Sequence, residues 1–247
     1  MQALGIDIGG SGVKGAPVDI TTGQLLTDRY RVPTPQPATP EAVVGIIADI
    51  VHYHNWEGVM GVGYPGVVKN GVTLTAANVD DGWIGYDLQQ GLERVTGGAV
   101  RVLNDADAAG VAEMSFGAGK DQKGMVVIVT LGTGIGVAAF IDGKLVPNLE
   151  LGHIKMNGTD AETLAAESAR ERDELSWKKW TKRVDSYLSY LEQLLNPDLF
   201  IIGGGVSKKW HKFIPHFEKT SVEVVPAQLR NQAGIVGAAL SAVEYDL

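Results

Sequence analysis

Three times in this chain a short apolar run ends in a cluster of glycines. Residues 4–8 run into Gly9-Gly10-Ser11-Gly12, residues 125–131 into Gly132-Thr133-Gly134, and residues 199–202 into Gly203-Gly204-Gly205. A short apolar run closed by glycine reads as a buried strand that ends in a tight turn. Glycine at such a turn lets the main chain bend sharply and brings its N–H groups close to any anion lying there. Because the strand-and-turn unit restarts midway along the chain, the architecture is expected to be duplicated, with two lobes that each begin on it.

The intervening pattern fills in an α/β fold. Residues 13–20 and 24–32 alternate around a turn at 21–23, so the chain opens as a meander. Pro33, Pro35, Pro37 and Pro40 make an extended connection, and Thr39-Pro40-Glu41 then reads as helix cap, first helical position and acidic first turn. That helix carries Val43, Val44, Ile46, Ile47, Ile50 and Val51 on one broad face. A strand at 59–64 ending in Pro65-Gly66, a helix at 87–95, a strand at 100–103 ending in Asn104-Asp105 and a helix from Ala106 to 116 follow. After 125–131, Asp142-Gly143 between apolar runs predicts a hairpin. Helices are expected near 160–171, 176–195 and 208–218, strands at 199–202 and 222–226, and a last helix from about residue 233. The lobes divide near Asp105, giving 1–105 and 106–232. The pattern leaves open where the last helix packs, and residues 233–247 are assigned to the first lobe.

Composition narrows the function classes. The 247 residues are 45% hydrophobic and 20% charged, as in an ordinary globular protein. There is no cysteine, which excludes a disulfide framework, a thiolate zinc site and a cysteine nucleophile. A formal charge of −8 argues against general nucleic-acid binding, although a local basic patch can still attract an anion. No window is apolar enough for a membrane span, and the first residues run into a strand without a signal-peptide pattern, so the cytoplasm is the expected location.

Five segments carry candidate chemistry. In the first, Asp7, Gly9, Gly10, Ser11, Gly12 and Lys14 combine main-chain donors, a hydroxyl and a positive charge for an anion, with Asp7 placed to hold a hydrated Mg²⁺. The spacing is neither a Walker loop nor a dinucleotide fingerprint. Gly132, Thr133 and Gly134 repeat the logic. Gly203, Gly204 and Gly205 precede Lys208, Lys209, His211 and Lys212, a basic cluster that reads either as an anion site or as a solvated helix face. Asp105 ends a strand and has two roles open to it, accepting a proton from a substrate hydroxyl or capping the helix from Ala106; the second is the commoner use of such a residue. Asn104 would fix the same substrate. Glu150 and His153, with Glu162 and Glu167 downstream, suit neighbouring hydroxyls such as a sugar presents. Gly66 would offer a main-chain N–H, and Asn78 carries no signal of its own. Trp177 and Trp180 read as core or subunit contact, and the apolar stripe of helix 176–195 as a dimer face.

In order along the chain, GIDIGGSGVKGAPVD, GYPGVV, TAANVDDGW, VLNDADAAGVAE, TLGTGIG, ELGH and LFIIGGGVSKK resemble the ROK family of sugar kinases and repressors, and within it the branch that uses polyphosphate. The likeness runs from about residue 4 to 240. It implies a two-lobed fold similar to actin, hexokinase and ribonuclease H, with a cleft between the lobes. It implies phosphoryl transfer from inorganic polyphosphate, and from ATP as a further donor, to the 6-hydroxyl of glucose. Asp105 then matches the catalytic base. Asn104, Asp105, Glu150, His153 and Glu162 match sugar contacts, Glu167 competes with Glu162, and Gly66 and Asn78 align less securely. Asp7 to Lys14 and Gly132 to Gly134 match the two phosphate motifs, and Gly203 to Gly205 the turn beside the nucleotide. Lys208 and Lys209 would form a cationic track for the donor, with Mg²⁺ as cofactor and a homodimer as assembly. The family's cysteine-rich zinc cluster is replaced by NGTDAETLAAES, so no zinc is expected, and GGSGVK stands where GGTK is usual. A repressor would need a DNA-binding domain ahead of the first strand, and none is expected. The rival expectations are an ATP-dependent family kinase for mannose, glucosamine or an N-acetyl sugar, and a non-catalytic sugar-binding protein.

Overall fold

A computed structural model describes residues 1–76 and 79–244. In chain order the strands and helices are β1 (Gln2–Gly9), β2 (Gly12–Asp19), β3 (Gln24–Leu25), β4 (Tyr30–Val32), α1 (Pro40–Tyr53), β5 (Met60–Tyr64), β6 (Val68–Lys69), β7 (Val72–Thr73), α2 (Leu88–Thr96), β8 (Val100–Asn104) and α3 (Asp105–Phe116). They continue as β9 (Met125–Leu131), β10 (Ile135–Ile141), β11 (Lys144–Val146), β12 (Lys155–Met156), β13 (Thr159–Asp160), α4 (Ala161–Ala165), α5 (Glu167–Arg172), α6 (Trp177–Leu195), β14 (Leu199–Gly203), β15 (Glu223–Pro226) and α7 (Ala233–Glu244). The chain forms two compact units, 1–112 with 232–247, and 113–231. The division therefore falls within α3, after Ala112, and not at Asp105 as the sequence pattern predicts.

The N-terminal unit is built on a sheet ordered β3-β2-β1-β5-β8, with β4 also paired to β2. β1 and β2 are antiparallel from Gln2↔Asp19 to Gly9↔Gly12, so Gly10 and Ser11 form the two-residue tip. β5 lies parallel to β1, and β8 parallel to β5. Thr39 caps α1 by accepting from the Ala42 amide, and the helix turns Val43, Val44, Ile47 and Ile50 into the core. Each such buried side chain is worth roughly 1.5–3 kcal/mol. Trp83 is fully buried and donates its Nε1–H to the Ala38 carbonyl at 2.8 Å, so its polar atom is satisfied. The last helix, α7, lies on β1 and β5. A methyl at Gly61 would sit 1.7 Å from the Ala238 carbonyl oxygen, so only glycine admits the helix this close.

The C-terminal unit repeats the plan. Its sheet is ordered β11-β10-β9-β14-β15, with β9–β10 an antiparallel hairpin and β14 and β15 parallel strands beside β9. The duplicated α/β architecture expected from the restarting glycine motif is thus present in the two sheets. Asp142 and Gly143 turn β10 into β11 with φ of 50° and 81°, the left-handed pair that a tight hairpin requires.

Three local expectations change. Region 160–171 is two helices, because Ala166 is extended (ψ 159°) between α4 and α5. Region 208–218 is not one helix but 3-10 turns at Gly205–Lys212 and Ile214–His216, kinked at Lys209. There Trp210, Phe213 and Phe217 pack on one another, and Pro215 lacks an N–H for a continuous helix. The stripe of α6 is core: Trp180, Val184, Leu188 and Leu191 are fully buried, with Trp177 and Leu195 packed against them. It therefore covers its own sheet and is not available as a dimer face.

Candidate active site

The N-terminal unit places the first glycine turn between two cations. Across the β1–β2 ladder Asp7 faces Lys14, and the Lys14 Nζ lies 2.9 Å from Asp7 Oδ2. Arg31, on β4, donates from Nη2 to the Ser11 carbonyl and reaches the Ser11 hydroxyl at 3.3 Å. Thr34 donates its hydroxyl to the Gly9 carbonyl. The Gly9 and Ser11 carbonyls are thus taken up by donors, and Arg31 places positive charge beside the exposed tip at Gly10 and Ser11. Arg31 carried no signal in the sequence, because its place depends on the register of β4 against β2.

In the same unit, the end of β8 settles which residue caps α3. Asn104 Oδ1 accepts from the Ala106 and Asp107 amides at 2.8 and 3.0 Å, so Asn104 is the cap and Asp105 the first helical residue. Asn104 Nδ2 donates to the Gly66 carbonyl at 3.1 Å. Asn104 thus holds the loop beside Asp105 with Oδ1 and one of its two Nδ2 hydrogens. Gly66 donates its own N–H to the Tyr64 carbonyl, so it does not offer that N–H to a ligand as expected. The Thr75 hydroxyl accepts from the Val67 amide, and Tyr64 donates to the Thr75 carbonyl. Burial pushes the Tyr64 phenol far above its usual range, so it stays a proton donor. Asn78 lies outside the described residues.

The C-terminal unit carries the other candidates. The β9–β10 turn is closed by the Gly132 N–H on the Gly134 carbonyl at 3.0 Å. The Glu162 carboxylate, one residue into α4, accepts from the Ile135 amide at 2.9 Å. Ser168, on the first turn of α5, donates its hydroxyl to the Thr133 carbonyl and its amide to the Gly132 carbonyl. Glu162 thus holds the second turn, and a sugar would have to share it.

The 3-10 turn at Leu151–His153 is set on the start of β10. A methyl at Gly152 would lie 2.1 Å from the Ile135 carbonyl oxygen, which explains the glycine of the ELGH segment. His153 Nε2 stands 3.8 Å from Glu150, and Nδ1 stands 3.5 Å from Asp160. At 40% and 38% exposure, the His153 and Glu150 side chains are open to a ligand. Asp160 carries no signal in the sequence; in the structure it caps α4 by accepting from the Glu162 amide. Its carboxyl, which burial alone would raise, is held below the usual range by Lys155 at 3.2 Å, by the Glu162 amide and by His153.

The third glycine turn follows β14, which pairs Gly203 with Thr130 of β9, so the second and third turns end neighbouring parallel strands. Glu167 lies between helix and turn, 4.0 Å from Lys209 Nζ. Burial raises the Glu167 carboxyl above its usual value, and Glu171 adds to this. Glu167 therefore belongs with the third turn and its lysines, whereas Glu162 belongs with the second turn and Asp160. Lys208, Lys209, His211 and Lys212 are all exposed.

A catalytic or structural zinc needs a preformed ligand set, and among the described residues no group of three or more histidine, cysteine or carboxylate side chains is arranged to hold a metal. Mg²⁺ needs less from the protein, since one carboxylate, water and the phosphates of a substrate complete its shell. Asp7, braced by Lys14 at the strand end, fits that smaller demand. Among the described residues no helix is long and apolar enough to cross a membrane.

The ROK family model matches residues 3–165, and the chain belongs to the ROK family. A polyphosphate glucokinase of Mycobacterium tuberculosis is 51% identical over 98% of this chain and 91% of its own length. The crystal structure of an inorganic polyphosphate/ATP-glucomannokinase from Arthrobacter sp. strain KM matches with a TM-score of 0.94 at 49% identity, covering 98% of both chains. A ROK family glucokinase from Streptomyces griseus, solved with glucose and AMPPNP, matches at 0.83 with 28% identity, over 99% of this chain and all of its own. These neighbours place the chain in the actin/hexokinase-like fold.

Proposed function

We propose that this chain is a sugar kinase that transfers the terminal phosphoryl group of inorganic polyphosphate, and also of ATP, to the 6-hydroxyl of glucose. Asp105 accepts the hydroxyl proton as its oxygen attacks phosphorus, the bond to the donor's bridging oxygen breaks, and the shortened donor leaves. Lys14 and the amides of the first glycine turn offset charge on the transferring group, and the second and third turns hold the donor's other phosphates. Glu150 and His153 bind sugar hydroxyls, Asp160 fixes the orientation of His153, and Glu162 or its neighbours complete the contact. A magnesium ion bound at Asp7 through water would neutralise phosphate charge. Most of the rate enhancement in such a reaction comes from positioning and fixed charge.

The observation that carries this proposal is the cap at α3. Asn104 already supplies the side-chain cap, so a capping role no longer accounts for Asp105 at this position. The test is glucose 6-phosphate formation with long-chain polyphosphate or ATP as donor, in wild type and Asp105→Asn. Turnover is expected to fall about a thousandfold in the variant while glucose still binds. A variant with wild-type turnover would remove Asp105 from the chemistry, and a wild type inert with both donors would remove the kinase itself. Mannose belongs in the acceptor panel, since the Arthrobacter relative is a glucomannokinase.

A further inference from the structure

One surface feature of the C-terminal unit is not accounted for by the family motifs. Three cations gather on a single indole. The Arg170 guanidinium carbon lies 4.4 Å from the centre of the Trp177 ring, Lys209 Nζ 5.6 Å and Lys212 Nζ 5.9 Å. These side chains come from three separate segments: α5, the 3-10 turn after the third glycine cluster, and the start of α6. The ring is fixed from behind, stacked on Phe213 at 6.0 Å and edge-on to Trp180 at 5.6 Å. Trp180 is itself locked by bonds from its Nε1 to the Ala165 and Ala166 carbonyls.

An aromatic face holds cations in a different way from a carboxylate. The ring quadrupole attracts each ammonium or guanidinium without cancelling its charge. Two carboxylates lie at the edge of this cluster, Glu167 at 4.0 Å from Lys209 and Glu171 at 3.3 Å from Arg170. Glu171 is 65% exposed, where an ion pair contributes little, and two carboxylates do not neutralise three cations. The buried Nε of Arg170 has no hydrogen-bond acceptor among the described residues. Net positive charge is therefore kept in place beside the Gly203–Gly205 turn, in a protein whose overall charge is −8.

We infer that Trp177 organises Arg170, Lys209 and Lys212 into a track for the distal phosphates of a linear polyphosphate, so that these residues favour a long inorganic chain over ATP. The inference rests on the proposed kinase reading and deepens it at the donor side. A nucleotide ends after three phosphates and gains little from charge farther along. A long polyanion continues over the cluster and displaces more counterions as it binds.

The experiment measures KM for long-chain polyphosphate and for ATP, at two salt concentrations, in wild type, Trp177→Leu, Trp177→Phe and Arg170→Gln, with melting temperatures taken alongside. Trp177→Leu and Arg170→Gln are expected to raise the polyphosphate KM about tenfold, change the ATP KM less than about twofold, and weaken the salt dependence of polyphosphate use. Trp177→Phe keeps a ring and should fall between wild type and Trp177→Leu. If Trp177→Leu is unstable, Arg170→Gln, which leaves the core intact, decides alone. Equal KM changes for both donors, or none, would overturn the track while leaving the kinase reading in place. A wild type that cannot use polyphosphate would defeat the reading itself, whatever the variants do.

Discussion

The first and second glycine turns look alike in sequence and are held in opposite ways. In the N-terminal unit, Arg31 donates to the carbonyl of the turn and Lys14 stands across the ladder from Asp7. In the C-terminal unit, a carboxylate, Glu162, accepts from the amide that ends the turn. The same device recurs in that unit, where Glu113 accepts from the Ala118, Gln228 and Leu229 amides, and Asp185 from those of Glu218, Lys219 and Thr220. A turn that holds a guanidinium on one of its carbonyls presents positive charge to an anion. A turn with a carboxylate at its end is positioned well but electrostatically weaker toward phosphate. Two matching motifs therefore need not share the work equally, and the first turn is expected to carry the larger share of phosphate charge.

Among variants that test this contrast between the turns, the largest effect should come from the first turn. Lys14→Ala is expected to lower kcat/KM for either donor about a hundredfold, as removal of one preorganised donor does at other charge-stabilising sites, measured by steady-state kinetics. A loss under threefold would break the comparison. Next, Asp185→Asn tests the carboxylate-to-amide bracing. Asp185 Oδ2 takes two N–H groups at 2.9 and 2.8 Å, so an amide nitrogen in its place would face a donor. A cost of about 2 kcal/mol is expected in denaturant unfolding. Burial would raise the Asp185 carboxyl, but the backbone N–H groups outweigh it and hold it below its ordinary value of 3.8. The stabilisation is thus present above the unfolded value and lost as pH falls through the lower folded one. The acid limb of stability should be shallower in Asp185→Asn, and an unchanged limb would rule this account out.

Glu162→Ala sharpens the division within the second turn. Both bracing and sugar contact predict a lower activity, of about tenfold, but only a sugar contact raises the glucose KM when donor binding is unchanged. Ser168→Ala should have the smallest effect, about twofold to threefold on donor KM, because it removes one exposed hydrogen bond while the Ser168 amide still holds Gly132.

Much of the fold was legible in the sequence because it rests on local rules. The α1 cap at Thr39, the Asp142-Gly143 hairpin and the apolar strands before each glycine cluster follow from residue type and spacing, and the structure has them where the pattern places them. The break at Ala166 and the 3-10 turns after Gly205 were not legible, since composition there is compatible with a helix and packing of Trp210, Phe213 and Phe217 decides otherwise. The stripe on α6 was visible, but what it covers was not, because an apolar face does not name its partner.

The sequence by itself determined the kind of chain this is: a cysteine-free α/β protein with repeated glycine turns at strand ends, an Asn-Asp pair after a buried strand, and the motifs of one family. Only the tertiary structure decided that Asn104 and not Asp105 is the cap, that Arg31 braces the first turn and Glu162 the second, and that Arg170, Lys209 and Lys212 meet on Trp177. The reason is range. Turn and strand preferences act over a few neighbouring residues, whereas the last three facts join segments far apart in sequence, and the first depends on which of two adjacent side chains the strand end turns toward the amides.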